Sequence, residues 1–297
     1  MRRRFFTLDV FTAQRFAGNP LAVVLEPEGL DTATMQTIAR EFGHPETVFV
    51  FRPDEAAHRA RIRIFTPGRE IPFAGHPTVG TAVLLAHLDG GANPRELVLG
   101  EGDGPVACTV EPAAGGGRAR FSVPRQPEPV AGVLDAGRVA AALGLEPADI
   151  GFDSFVLGNW SAGNPFSFVP VRRLDAIAKA RPDLSRWDDA FDPAGPVGAF
   201  LFCRETLDRA HSFHARMFAP RAGVLEDPAT GSAVAALAGP LLAAKPGDGQ
   251  HAHVIEQGYE MGRQSLINLT LDVRGGALSG ATVGGDAVLV TEGAVEA

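Results

Sequence analysis

Apolar and polar positions along the first part of the chain alternate in short bursts with a period of two. FFTLDVF (5–11), LAVVLE (21–26), ETVFVF (46–51) and RARIRIF (59–65) predict strands. VACTVEP (106–112) and RARFSVP (118–124) predict a hairpin turned by the Gly-rich AAGGG. The signature returns in FSFVPVR (166–172), GAFLFCR (198–204) and HSFHARMF (211–218). Two stretches break it. TVGTAVLLAHL (78–88) and ATGSAVAALAGPLLAA (229–244) are apolar almost all round, which marks helices buried on every side. Amphipathic helices are predicted over TATMQTIAREF (32–42) and near 136–145. The simplest arrangement is an α+β fold of two pseudosymmetric domains, each a mixed β-sheet or barrel wrapped around a central α-helix.

Pseudosymmetry is expected because the chain writes one phrase twice. RIFTPGREIPFAGHPTVGTAV (63–83) and RMFAPRAGVLEDPATGSAV (216–234) both open on Arg, an aliphatic residue, Phe, a small residue and Pro. Both close on Pro-x-x-Gly-Ser/Thr-Ala-Val. The alignment sets His76 against Asp227, an offset of 151 residues. A second pair, AGNPLAVV (17–24) and AGNPFSFV (162–169), recurs in the same order at an offset of 145. Two unrelated markers in one order at similar offsets point to a duplicated unit. The expected halves are residues 1–127 and 128–297, with the final strand free to cross back to the first. The junction falls near QPEPVAGVLD (126–135), where Pro and Gly cluster.

Composition narrows the function classes. Apolar residues make up 45% and charged residues 21% of 297, enough for a real core. A net charge of −8 with no long basic run argues against nucleic-acid binding. No apolar stretch has the length of a membrane span, and the opening MRRR leads into a strand pattern instead of a signal peptide. The protein is expected to be cytoplasmic, without membrane partners, and Arg2, Arg3 and Arg4 to be a solvated terminus. Cys108 and Cys203 are the only cysteines; both sit in strand patterns and read as small core residues. GEGDGP (100–105) precedes a strand, so it reads as a turn and not a phosphate loop. The histidines of HSFHARM alternate at strand spacing, and HAH (251–253) falls in a Gly/Gln-rich loop. No metal site is expected.

The repeated phrase carries the candidate chemistry. Pro77 and Pro228 suit first helical turns, which sets His76 and Asp227 at or near the N-caps. Gly80, Thr81, Gly231 and Ser232 keep the first turns small, so that exposed N–H groups at two helix starts can meet a carboxylate. His76 and Asp227 differ in chemistry while their surroundings agree; a cap needs no such divergence, and a shared site does. Glu46, just before an apolar run, is the candidate proton carrier. Partial burial would raise its pKa toward the roughly 6–7 useful for general acid/base work. No carboxylate stands at the matching place in the second half.

These residues resemble the phenazine-biosynthesis (PhzF-like) isomerase family, within the diaminopimelate-epimerase-like fold. The carrying segments are DVFTAQRFAGNPLAVVLE, ETVFVF, IRIFTPGREIPFAGHPTVGTA, MFAPRAGVLEDPATGSA and IEQGYEMGRQSLI with VGGDAVLV. The resemblance implies a homodimer of two-domain chains with the site between the domains and no metal or organic cofactor. It implies Glu46 as acid/base, and His76 and Asp227 as the groups that hold the substrate and assist proton traffic. Gly75, Gly231 and Ser232 match carboxylate-binding positions; with Asn19, Gly80 and Thr230 they complete the expected substrate-binding set. The family commonly places Ser before the acid/base, where this chain has Pro45. Epimerases of the wider superfamily use two facing cysteines, and neither Cys108 nor Cys203 lies in a repeated motif. The expected activity is a cofactor-independent proton-shift isomerisation of a small carboxylated metabolite. The alternative is a non-catalytic small-anion-binding or regulatory protein on the same fold.

Overall fold

The computed structural model describes residues 1–297. The chain divides into two compact units, Met1–Ser122 with Val283–Ala297, and Val123–Thr282.

The first unit runs β1 (Arg2–Val10), β2 (Asn19–Leu25), α1 (Thr32–Phe42), β3 (Glu46–Phe51), β4 (Ala60–Phe65), β5 (Glu70–Ile71), α2 (Gly75–Asp89), β6 (Arg95–Glu101), β7 (Gly104–Ala113) and β8 (Gly116–Ser122). The second runs β9 (Glu128–Val130), α3 (Ala136–Leu143), β10 (Gly158–Ser161), β11 (Pro165–Pro170), α4 (Leu174–Lys179), α5 (Leu184–Ala190), β12 (Gly198–Cys203), β13 (Phe213–Ala219), β14 (Val224–Asp227), α6 (Gly231–Ala243), β15 (Gly249–Gln257) and β16 (Ser265–Arg274). The last strand, β17 (Ala277–Glu296), begins in the second unit and from Val283 belongs to the first.

In the first unit each strand pairs with the next around a closed ring: β1, β2, β3, β4, β6, β7, β8, β17 and back to β1. The ring abolishes sheet edges, and α2 packs against six of its strands. Residues Gly75–Ala86 of α2 are all buried, which is why its sequence lacks a polar face. Close approach needs Gly80: a Cβ there would lie 2.6 Å from Leu21 Cδ2 and 2.8 Å from Val10 Cγ2. Its smallness serves packing in the second turn of α2 and not, as the sequence led us to expect, an open first turn.

The second unit repeats the pairing. β2–β3 is parallel, β3–β4 antiparallel, β4–β6 parallel and β6–β7 antiparallel. β11–β12, β12–β13, β13–β15 and β15–β16 follow the same succession. The parallel steps need crossover connections. α1 makes the first; it is capped by Asp31, which accepts the Thr34 N–H, and ended by left-handed Gly43. The short helices α4 and α5, which sequence periodicity did not reveal, make the second. The arginine that opens each repeated phrase does the same work twice. Arg63 holds Glu70 with Nε and Nη2 at 2.6 and 2.7 Å, and Arg216 holds Glu226 with both at 2.8 Å. Arg216 is 2% exposed and also donates Nη1 to the carbonyls of Ile177, Ala178 and Ala180 at the end of α4.

Arg2, Arg3 and Arg4 extend β1 and pair with Glu296, Val295 and Ala294, while Arg2 and Arg4 stay exposed and Arg3 partly so. One expectation about the strands is corrected. His251 and His253 lie in β15, not a loop, because all nine residues of β15 pair with β16. In β16 every second residue from Ser265 to Val273 is buried; that partner overrides the weak strand propensity of GQHAHVIEQ. GEGDGP is a turn, with β6 ending at Glu101 and β7 beginning at Gly104. No helix is long and apolar enough to cross a membrane.

Candidate active site

In the first unit, left-handed Gly43 (φ 64°) ends α1 and turns the chain through His44 and Pro45 into β3. Glu46 is the first residue of β3, in register with Leu21 of β2. His76 is the second residue of α2 and 4% exposed. Its Nε2 lies 3.2 Å from Glu46 Oε2, and the two side chains are 5% and 17% exposed. Glu46 therefore keeps a path to solvent or ligand while its neighbour is dry. Burial, with the charge of nearby His44 adding to it, pushes the His76 imidazole down to about 3. At neutral pH His76 is a neutral ring beside a carboxyl group, able to donate or accept depending on tautomer.

In the second unit, Asp227 ends β14 and is 8% exposed. Thr230 donates its hydroxyl to Asp227 Oδ2 at 2.6 Å. The Thr230 N–H donates to Gln257 Oε1 at 3.1 Å, and Gln257 Nε2 donates to the Asp227 carbonyl at 2.8 Å and to Thr230 Oγ1 at 3.0 Å. Gln257 is fully buried at the end of β15. Gly258 lets it reach that place. Its φ is 78°, and a Cβ would lie 2.6 Å from the Pro228 carbonyl oxygen.

The helix starts differ from expectation. His76 lies inside α2, whose N-cap is Ala74, whereas Asp227 stands three residues before Thr230, the N-cap of α6, and Pro228 lies outside the helix. The two starts are bonded differently, and Asp227 is held at the end of β14 in register with Met217 of β13. Thr78 bonds the Ala74 carbonyl through its N–H at 3.3 Å and its Oγ1 at 2.8 Å, which closes a turn upstream of Pro77. The matching residue in the second copy is Ala229, which has no hydroxyl, and Asp227 keeps the extended backbone that a following proline favours. Both helix starts lack a side-chain cap on their own N–H groups, as an anion seat requires.

The remaining expected residues are placed as follows. Asn19 is fully buried at the head of β2, Gly75 opens α2, and Gly231 and Ser232 open α6. Cys108 in β7 and Cys203 at the end of β12 are buried. Burial pushes both thiols up, Cys203 to about 12, so neither forms a thiolate at neutral pH. His211 and His214 direct their Nδ1 atoms to Glu256, each at 2.8 Å. Sequence reasoning missed His44 and Gln257. Gly-His-Pro occurs at both 43–45 and 75–77, a signal for His44; Gln257 lies inside IEQGYEMGRQSLI, one of the segments that carry the resemblance.

Known proteins resemble the chain along nearly its whole length. A family model described as phenazine biosynthesis-like protein (PhzC-PhzF) matches residues 8–293. An uncharacterized isomerase of Mesorhizobium japonicum is 48% identical over 296 residues, covering 98% of each chain. The trans-2,3-dihydro-3-hydroxyanthranilate isomerase of Pseudomonas fluorescens is 34% identical over 294 residues, again 98% of each. The crystal structure of a Bacillus anthracis PhzF-family protein superposes with a TM-score of 0.89 at 28% identity, over 100% of both chains.

Proposed function

The chain belongs to the phenazine biosynthesis-like (PhzC-PhzF) family and is an isomerase, and from that premise we propose that Glu46 is its general acid/base. In this reading Glu46 takes a proton from a carbon of a small carboxylated substrate and returns it to another carbon. Neutral His76 hydrogen-bonds the substrate or Glu46 as the proton moves. Asp227, oriented by Thr230 and through it by Gln257, binds a polar group of the same substrate. The uncapped starts of α2 and α6, with Gly75, Gly231 and Ser232, receive its carboxylate, and Asn19 and Thr230 shape the surroundings. No redox change is involved, and no cofactor enters the scheme.

The observation that carries this reading is the 3.2 Å approach of Glu46 to a buried, neutral imidazole. A neutral imidazole has one donor and one acceptor nitrogen, so it can hydrogen-bond the carboxyl group or the substrate as the proton moves. The name of the Pseudomonas fluorescens relative supplies the first compound to assay, trans-2,3-dihydro-3-hydroxyanthranilate. Deuterium uptake from D2O into recovered substrate and product, read by mass spectrometry, reports the proton transfer. Glu46→Gln is expected to fold, to bind, and to lose about 10²–10⁴ in exchange rate. Exchange that continues undiminished in that variant removes Glu46 from the role.

A further inference from the structure

Glu101, the last residue of β6, is 9% exposed and lies behind the helix turn that carries His76. Its Oε1 is 2.8 Å from Thr78 Oγ1, and the same hydroxyl is 2.8 Å from the Ala74 carbonyl oxygen. A hydroxyl has one proton. If Thr78 gives it to Ala74, the contact with Glu101 needs a second proton, and only a protonated carboxyl supplies it. The other carboxyl oxygen, Oε2, is buried and has no hydrogen-bond partner. An ionised Glu101 would leave charge on that oxygen with no donor; a neutral acid leaves only a carbonyl acceptor there.

We propose that Glu101 is a positioning residue for His76, acting as a neutral carboxylic acid that donates to Thr78 and so leaves the Thr78 proton to close the Ala74–Thr78 turn. This rests on the reading of His76 as a site residue. The groups around Glu101 are Thr78 on α2, Asp103 in the turn after β6, Cys108 on β7, and Arg61, Arg63 and Glu70 along a cavity of about 450 Å³ that Glu101 also lines. Arg63 is held by Glu70, and Arg61 pairs with Asp54. Burial pushes the Glu101 carboxyl up to about 8; the Thr78 bond opposes this and Asp103 adds to it. Above that pH the carboxylate recruits the Thr78 proton for itself, and the Ala74 carbonyl keeps only the longer N–H bond. The second copy, with Ala229 in place of Thr78, lacks the hydroxyl that such a relay needs.

The test follows the ring nitrogens of His76 by NMR from pH 6 to 9, with signals assigned by their loss in His76→Asn. His76 itself stays neutral over this range, so a step with a midpoint near 8 reports a neighbour. The step is expected in the natural protein and absent in Glu101→Gln, which keeps a donor but cannot ionise. In turnover, Glu101→Ala is expected to lower kcat about tenfold with KM unchanged, and Glu101→Gln to recover most of that loss. A flat titration in the natural protein, or a step that survives in Glu101→Gln, overturns the proposal. Full activity in His76→Asn with the step behaving as stated sinks the role of His76 and leaves its positioning by Glu101 standing. Lost activity in His76→Asn without any step does the reverse.

Discussion

Replacing Glu256 by Gln tests the energetics of the second unit. Glu256 is fully buried at the end of β15. It accepts the N–H groups of Leu207 and Asp208 at 2.9 Å each, and His211 and His214 Nδ1 at 2.8 Å each. His214 bonds Glu260 through Nε2 at 2.9 Å, so both its nitrogens face carboxylates and the ring is an imidazolium. Burial alone would push Glu256 up; the bonds from His214, Asp208, Leu207 and His211 outweigh it and hold the carboxyl at about 2. Burial likewise opposes charge on His214, and the two carboxylates raise it to about 9. A carboxylate held from 4.5 down to about 2 contributes about 3 kcal/mol at neutral pH, nearer 2 after allowance for screening through partly exposed His211. That contribution is full above pH 4.5 and is lost as pH falls through 2. The His214 contribution is full below pH 6.5 and is lost as pH rises through 9. Urea unfolding of Glu256→Gln is therefore expected to show a loss of about 2–3 kcal/mol at pH 7, a gap that narrows between pH 4.5 and 2, and an alkaline decline displaced to lower pH. A loss under about 0.5 kcal/mol at pH 7, or a gap that stays constant down to pH 2, refutes the network as an energetic unit.

Other outcomes follow from single contacts. His76 is held from 6.5 down to about 3, so the unfolded chain binds the extra proton and stability falls as pH drops from 6.5 toward 3. His76→Gln should remove that slope, worth up to about 5 kcal/mol at its foot; an unchanged acid limb in pH-dependent unfolding contradicts it. Gly80→Ala places a methyl against Leu21 and Val10 and should destabilise by about 1–3 kcal/mol, measured by denaturant midpoint; a stabilised variant would mean α2 has slack in its ring. Gln257→Ala removes the donor to the Asp227 carbonyl and the acceptor of the Thr230 N–H. It should raise KM in the deuterium-exchange assay by about tenfold, the effect of roughly one lost hydrogen bond, and an unaltered KM would separate Gln257 from substrate binding.

What the sequence revealed, and what it withheld, follows from where the information resides. The repeated phrase is legible because short-range chemistry enforces it: an Arg that grips a Glu, a proline, and small residues where a buried helix starts. Arg63–Glu70 and Arg216–Glu226 close over 7 and 10 residues, so both partners fall within one reading window. β15 and the first part of β17 were not legible. GQHAHVIEQ and ALSGATVGG become strands through partners elsewhere in the chain, and Gly284 is small because a Cβ would meet the Ala119 carbonyl at 2.4 Å. Gln257 and Glu101 are hidden for the same reason. A polar residue at a strand end has no local mark of function, and only the fold brings Gln257 to Thr230 or Glu101 to Thr78.

The divergence of the two copies is concentrated where their central helices start. Thr78 and Ala229 occupy the same place in the phrase, and the helices begin at different places around them. In the first copy the turn closes to Ala74 and the helix takes in His76, an imidazole in a dry setting where it stays neutral. In the second copy Asp227 ends a paired strand, and the helix is capped by Thr230, whose own hydroxyl turns back to Asp227. The first copy therefore presents a rigid neutral ring beside Glu46, and the second an acid tied into a hydrogen-bonded loop. The two copies thus part company where the helix starts, at His76 inside α2 and at Asp227 ahead of α6, while the residues around them match.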